Sequence, residues 1–213
     1  MRTKLIFLVL IAMLFLQSNS CDSFPPDISE ERSSEYIWWN ELNDTWQELF
    51  LRQTNHLGSK ANQEIIEEVL VLEKFSADHY PLGETGLDPL KILVNLKDVS
   101  AGSTYISQIE AVQYLPNLEF LNLAATSVSD LSPLRKNKKL ISLYVQQTLI
   151  TDISPLEFLL NLEVLHIDQT EIRSIKPIMK HDKLSILSVG SSPIPPEEIQ
   201  RFRELHPKCQ ILN

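Results

Sequence analysis

The chain has 213 residues, of which 43% are hydrophobic and 22% charged, and its formal charge of −9 argues against recognition of nucleic acid or anionic lipid through bulk charge. Two cysteines rule out a disulfide framework. With five glycines and no Gly-rich phosphate loop, GxSxG, HExxH or paired cysteine motif, the sequence carries no catalytic grammar.

At the N-terminus, Arg2 and Lys4 precede the uninterrupted apolar run LIFLVLIAMLFL, followed by QSNS and Cys21. Twelve residues in a helix span about 18 Å, short of a ~30 Å bilayer core, so residues 1–20 read as a signal peptide and the chain is expected to be exported. Small polar residues before a cysteine at this place resemble the lipobox of bacterial lipoproteins, although Ser18 stands where leucine is usual. That resemblance implies a lipid on Cys21 and a membrane-anchored lipoprotein of the bacterial cell envelope. The alternative is a secreted, unanchored chain in which Cys21 could pair with Cys209. Removal of Arg2 and Lys4 would take the charge to about −11. Residues 21–35 are polar, contain proline and lack apolar periodicity, as a flexible lipid-anchored tether would.

Residues 36–71 read as a helical N-terminal cap. In EYIWWNELNDTWQELFLR, the residues Trp39, Leu42, Trp46, Leu49 and Phe50 recur at three- and four-residue spacing, which predicts one amphipathic helix. A second helix is predicted over about Lys60 to Val71, with Ile65, Ile66, Val69 and Leu70 facing inward. The tryptophans could instead form a carbohydrate-binding platform.

Residues 72–194 repeat. Leu118, Leu140, Leu162 and Leu184 are 22 apart; each is followed by an apolar residue at three and five places, by Thr126, Thr148, Thr170 or Ser192 at eight, and by Val128, Ile150, Ile172 or Ile194 at ten. Three units close with a proline element, as in Leu131-Ser132-Pro133-Leu134. Upstream the frame weakens but continues, so six coils are predicted, starting at residues 72, 96, 118, 140, 162 and 184. Within LxxLxL the second and third apolar residues share one side of a short strand, while the proline-bearing half returns the chain as a 3₁₀ turn or irregular segment. No coil can bury its apolar side alone, so the coils must stack, with their strands forming a parallel sheet.

Period and frame together resemble the leucine-rich repeat family, in the 22-residue form of bacterial internalin-like proteins. The resemblance implies an α/β solenoid with a parallel sheet on one face, a helical N-terminal cap and a helix-plus-strand C-terminal cap. The family commonly has Asn where this chain has Thr126, Thr148, Thr170 and Ser192; their hydroxyls are expected to bond backbone inside the turn. Asp130 and Asp152 are placed to cap the following turn.

Residues 195–213 read as the C-terminal cap: a helix starting at Pro195-Pro196-Glu197-Glu198, with Ile199, Phe202 and Leu205 as its buried stripe, and a last short strand carrying Cys209 and Ile211. His181 and His206 are expected at surface turns.

The residues between the leucines vary because they face solvent, and function should lie among them. Outward strand positions form columns: Ser100, Asn122, Tyr144, His166 and Ser188; Phe120, Ser142, Val164 and Ile186; Ala124, Gln146, Asp168 and Gly190. The candidate binding face is therefore Phe120, Asn122, Tyr144, Gln146, Val164, His166, Asp168 and Ile186, a partly apolar strip with a polar rim suited to a protein or peptide. The expected function is that of a non-enzymatic, monomeric, membrane-tethered binding module without cofactor, metal or nucleic-acid partner. Two alternatives stand beside it: an envelope structural or assembly component using its caps or convex side, and an enzyme using His166 and Asp168.

Overall fold

The computed structural model describes residues 34–82 and 86–213. The expected signal peptide, Cys21 and the tether up to residue 33 lie outside the described residues.

Among the described residues, three helices come first: α1 (Ser34–Glu41), α2 (Asp44–Gln53) and α3 (Gln63–Leu70). The single amphipathic helix expected from residue 36 onward is thus two, and α1 begins inside the expected tether. The break lies at Asn43, whose extended backbone lets its side chain accept the Trp46 N–H at 3.0 Å and cap α2. Gln47 Nε2 donates back to the carbonyls of Trp39, which also accepts the Leu42 N–H, and of Leu42, tying α2 to the end of α1. Asn62 caps α3 in the same way through the Ile65 N–H at 2.9 Å, which is why that helix starts at Gln63 and not at Lys60.

The bend lets Trp38, Trp39, Trp46 and Phe50 cluster, and Trp46 stacks on Phe75 of the first coil at 5.4 Å. All three tryptophans are buried, which removes the carbohydrate platform as a use for them.

Seven parallel strands follow in chain order: β1 (Lys74–Ser76), β2 (Asp98–Ser100), β3 (Phe120–Asn122), β4 (Ser142–Tyr144), β5 (Val164–His166), β6 (Ile186–Ser188) and β7 (Gln210–Leu212). The first six belong to the six expected coils and the seventh to the C-terminal cap. Each strand of a coil sets one buried residue between two outward ones, and the register aligns Phe75, Val99, Leu121, Leu143, Leu165 and Leu187 in one interior row. On the far side run 3₁₀ turns, among them Glu110–Tyr114, Ser132–Lys136, Ser154–Leu156 and Lys176–Ile178. The proline of the last three sits in the first turn, where a missing N–H costs nothing.

The chain leaves each strand through one residue in left-handed conformation: His79, Ser103, Ala125, Gln147, Gln169 and Ser191 have φ between 53° and 64°. None is glycine. Just beyond, Thr104, Thr126, Thr148 and Thr170 donate their hydroxyls to the carbonyl three residues back at 2.7–2.8 Å, as expected. Ser192 differs, reaching back one coil to the Ile167 carbonyl and to the Thr170 hydroxyl. Asp130 and Asp152 cap as expected, each accepting the N–H and the hydroxyl of the serine two places on. Those bonds hold both carboxyls below the usual aspartate range.

Two expectations fail in the last coils. His181 and His206 are buried, because each imidazole Nε2 donates to a carbonyl of the preceding coil, Leu156 and Met179 respectively, at 3.1 Å. Asn137 does the same work at the equivalent place two coils before His181, donating to the Val112 and Leu115 carbonyls. In the cap helix α4 (Pro196–Leu205), Phe202 is fully buried but Leu205 is 53% exposed. The inward place expected for Leu205 is taken by His206, whose ring lies 4.2 Å from that of Phe202. Cys209 is buried and has no disulfide partner among the described residues, and burial pushes its thiol pKa up.

Glu198 of α4 also completes the fifth coil. Ser174 stands where Asp130 and Asp152 stand in the two coils before it, and its hydroxyl oxygen accepts the Lys176 N–H at 3.3 Å as they accept the Ser132 and Ser154 N–H, while Glu198 Oε2 takes the neighbouring Ile175 N–H at 2.9 Å. Ser174 donates its hydroxyl to the same carboxylate.

Candidate functional site

Backbone pairing places the expected columns side by side. Phe120 pairs with Ser142, Ser142 with Val164 and Val164 with Ile186; Asn122 pairs with Tyr144, Tyr144 with His166 and His166 with Ser188. Because each of β3 to β6 turns a leucine inward at its centre, the two flanking side chains must both face out. The result is a row of rings across three coils. Phe120 and Tyr144 have centroids 5.3 Å apart, and Tyr144 and His166 stack at 4.8 Å with an interplanar angle of 22°. Val164 and Ile186 are half-buried beside that row.

Polar members of the face are held more tightly than their spacing implies. Asp168 lies 3.6 Å from His166 Nδ1 through one oxygen, while the other accepts the Ser188 hydroxyl and the Gly190 N–H. The carboxylate thus bridges two coils and braces the imidazole at the end of the ring row. Asn122 likewise spends its amide on the framework, donating to the Ser100 hydroxyl at 2.9 Å and accepting the Ala124 N–H at 3.0 Å. Gln146 turns its Oε1 inward, where it has no protein partner among the described residues, and Gln147 donates to Gln169 at 2.7 Å along the rim.

A second carboxylate clamp, which the columns did not single out, lies at the other end of the sheet. Asp78 accepts the Ser100 hydroxyl at 2.7 Å and the Gly102 N–H at 2.6 Å. Both clamps have one plan: an aspartate just after a strand, with serine and glycine on the next coil. Glycine eases both approaches: a Cβ at Gly102 would lie 2.8 Å from Asn122 Nδ2 and 3.1 Å from Asp78 Oδ1, and one at Gly190 would lie 3.1 Å from the Asn213 carbonyl carbon and 3.3 Å from Asp168 Oδ1. The signal was legible as an Asp followed one coil later by Gly in a single column. Outside the strands, Tyr105 and Leu149 add exposed apolar surface along the edge where the chain leaves the sheet. No cluster of three or more His, Cys, Asp or Glu side chains that could hold a metal occurs among the described residues, and no helix there is long and apolar enough to cross a membrane.

Solenoid, ring row and repeat frame define a leucine-rich repeat architecture. The family described as Leucine Rich repeats (2 copies) matches residues 116–158. Among solved structures, the chain is similar to an internalin (inlF) from Listeria monocytogenes, with 21% identity and a TM-score of 0.66 over 79% of this chain and 55% of that one. Internalin C2 (inlC2) from the same organism is similar over 79% of this chain and 81% of its own, with 20% identity and a TM-score of 0.62. The chain therefore spans about half the length of the first of these and most of the second. No curated protein sequence matches it.

Proposed function

We propose that the chain is a non-enzymatic recognition module, tethered to a membrane through Cys21, whose strand face binds a protein or peptide in the cell envelope or outside the cell. The observation that carries this reading is the row of Phe120, Tyr144 and His166 rings on a seven-stranded sheet, braced by Asp168. Stacked coils give a rigid, extended surface on which such side chains stay accessible at little cost in conformational entropy, and repeat arrays put such surfaces to use in binding. The two carboxylate clamps add to it, since they fix the sheet's ends and keep the ring row between them in register. Export and the lipid rest on residues 1–21: a positive start, a short apolar run and a cysteine after small polar residues.

The test is crosslinking in cells followed by affinity capture and mass spectrometry, comparing the native chain with a Tyr144→Asp, His166→Asp double variant. One partner enriched with the native chain and lost with the variant is the expected result; equal capture refutes the assigned face. Intact mass of the mature protein decides the tether separately, because acylation of Cys21 adds a large increment and a Cys21–Cys209 disulfide would remove two hydrogens.

A further inference from the structure

Away from the sheet, at the end of each 3₁₀ turn or just past it, Tyr114, Lys136, Phe158 and Lys180 recur at successive offsets of 22. One coil per step stacks them into a row at roughly 4.8 Å spacing, with aromatic and ammonium groups alternating. Two places further along, Lys138 and Leu160 widen the row, and the same column ends on the exposed Asp182 beyond Lys180. Tyr114, Phe158 and Leu160 are 41%, 66% and 51% exposed. Lys138 Nζ sits 5.3 Å from the Phe158 ring centroid and donates to the Phe158 carbonyl at 3.2 Å. Lys74, Lys91, Lys97 and Lys176 each pair with a carboxylate, whereas Lys136, Lys138 and Lys180 form no ion pair among the described residues.

We propose that this return side docks on an anionic lipid bilayer, with Phe158 and Leu160 entering the headgroup–acyl boundary and the three lysines lying against lipid phosphates. The chemistry is complementary in both parts: projecting apolar side chains gain by leaving water, and unpaired lysines keep their ammonium groups at the charged plane while their stems cover apolar surface. The mature chain's overall charge of about −11 does not oppose this contact, because a screening length of ~8 Å leaves the local field of the row in control at its own surface. The tether proposed above brings a bilayer within reach, since the 13 steps from Cys21 to Ser34 extend to at most about 45 Å. An acidic protein would answer the lysines, but single projecting side chains suit insertion into a fluid surface better than they suit a groove.

The docking is tested without the lipid anchor, so that it and the tether fail separately. The mature chain from residue 21, carrying Cys21→Ser, is sedimented with vesicles of phosphatidylcholine alone or mixed with phosphatidylglycerol. Cosedimentation with the anionic vesicles only, decreasing as salt rises, is the expected result. Each of Lys136→Gln, Lys138→Gln and Lys180→Gln should lower partitioning about five-fold. Phe158→Ser with Leu160→Ser should lower it at every salt concentration, with the far-ultraviolet circular dichroism unchanged because both side chains are exposed. No cosedimentation of the native chain at low salt, or equal binding by the variants, overturns the proposal. Retention on polyglutamate without vesicle binding also overturns it and assigns the row to an acidic protein.

Discussion

Ala125 leaves β3 in left-handed conformation, with φ at 56°, and its N–H is bonded to the Gln146 carbonyl at 2.9 Å. An L-residue held there costs roughly 1–2 kcal/mol from the crowding of Cβ against the following carbonyl. Glycine removes that cost but brings an unfolded chain with more freedom to lose, worth about 0.5–1 kcal/mol in the opposite sense. Ala125→Gly should therefore stabilise the fold by about 0.5–1 kcal/mol, since no side-chain hydrogen bond is lost and the backbone bond is kept. In urea, with a slope of about 2 kcal/mol per molar, the midpoint should rise by about 0.3–0.5 M. Its neighbour Ala124 has no positive φ, so Ala124→Gly should carry only the entropic cost and lower the midpoint. Opposite signs at adjacent residues are the signature of the left-handed column. Two shifts of the same sign, or a destabilising Ala125→Gly, would refute the reasoning.

Leu143→Ala, at a fully buried position in the middle of the sheet, should cost about 2–5 kcal/mol in a urea titration, because neighbouring coils are fixed by their own ladders and cannot collapse into the gap. Glu198→Ala should raise hydrogen exchange across α4 and at the Ile175 amide, and adding Ser174→Asp should strengthen protection at the Lys176 amide, whose equivalents Asp130 and Asp152 cap, while leaving Ile175 exchanging. Burial pulls the His181 pKa below its ordinary value, with its carbonyl contacts only partly offsetting this. The unfolded chain then binds more protons than the native one below a pH of about 6.5, so stability should fall as pH drops through that point until the folded ring itself protonates. His181→Asn, which puts there the residue that bridges coils at Asn137, should flatten the urea midpoint between mildly acidic and neutral pH. Further down, Asp130 and Asp152 work in the same direction: their lowered pKa values contribute stability at neutral pH that is lost as pH falls through the carboxylate range.

What could be read before the structure was what the period dictates. An apolar residue every 22 places must stack, and once it stacks, alternation along each strand puts Tyr144 beside His166 without further information. Features set by backbone geometry were silent. The left-handed column is filled by His, Ser, Ala and Gln, so no glycine marks it. The spacing of Trp39, Leu42 and Trp46 fits one continuous helix, and the break shows only in the hydrogen bonds that hold it: the Asn43 cap on the Trp46 N–H and the reach of Gln47 back to the Trp39 and Leu42 carbonyls. His181 could have been recognised from Asn137, two coils earlier at the same place, as a bridge and not a surface residue. Asn122 and Asp168 were found as members of the face, but their hydrogen bonds to neighbouring coils depend on glycines that leave room for them.

The carboxylate that Glu198 lends to the fifth coil sets a rule for lengthening the array. A duplicate of residues 140–161 would carry its own aspartate and could be spliced in beside the original, extending the sheet by one strand while every turn remained capped. A duplicate of residues 162–183 would not behave alike, for α4 offers one Glu198, and the copy farther from it would keep only the serine hydroxyl on its Lys176 N–H, with no carboxylate to receive that hydroxyl. The fifth coil is thus a terminal part, made for a fixed place beside the cap, whereas the two before it are interchangeable units.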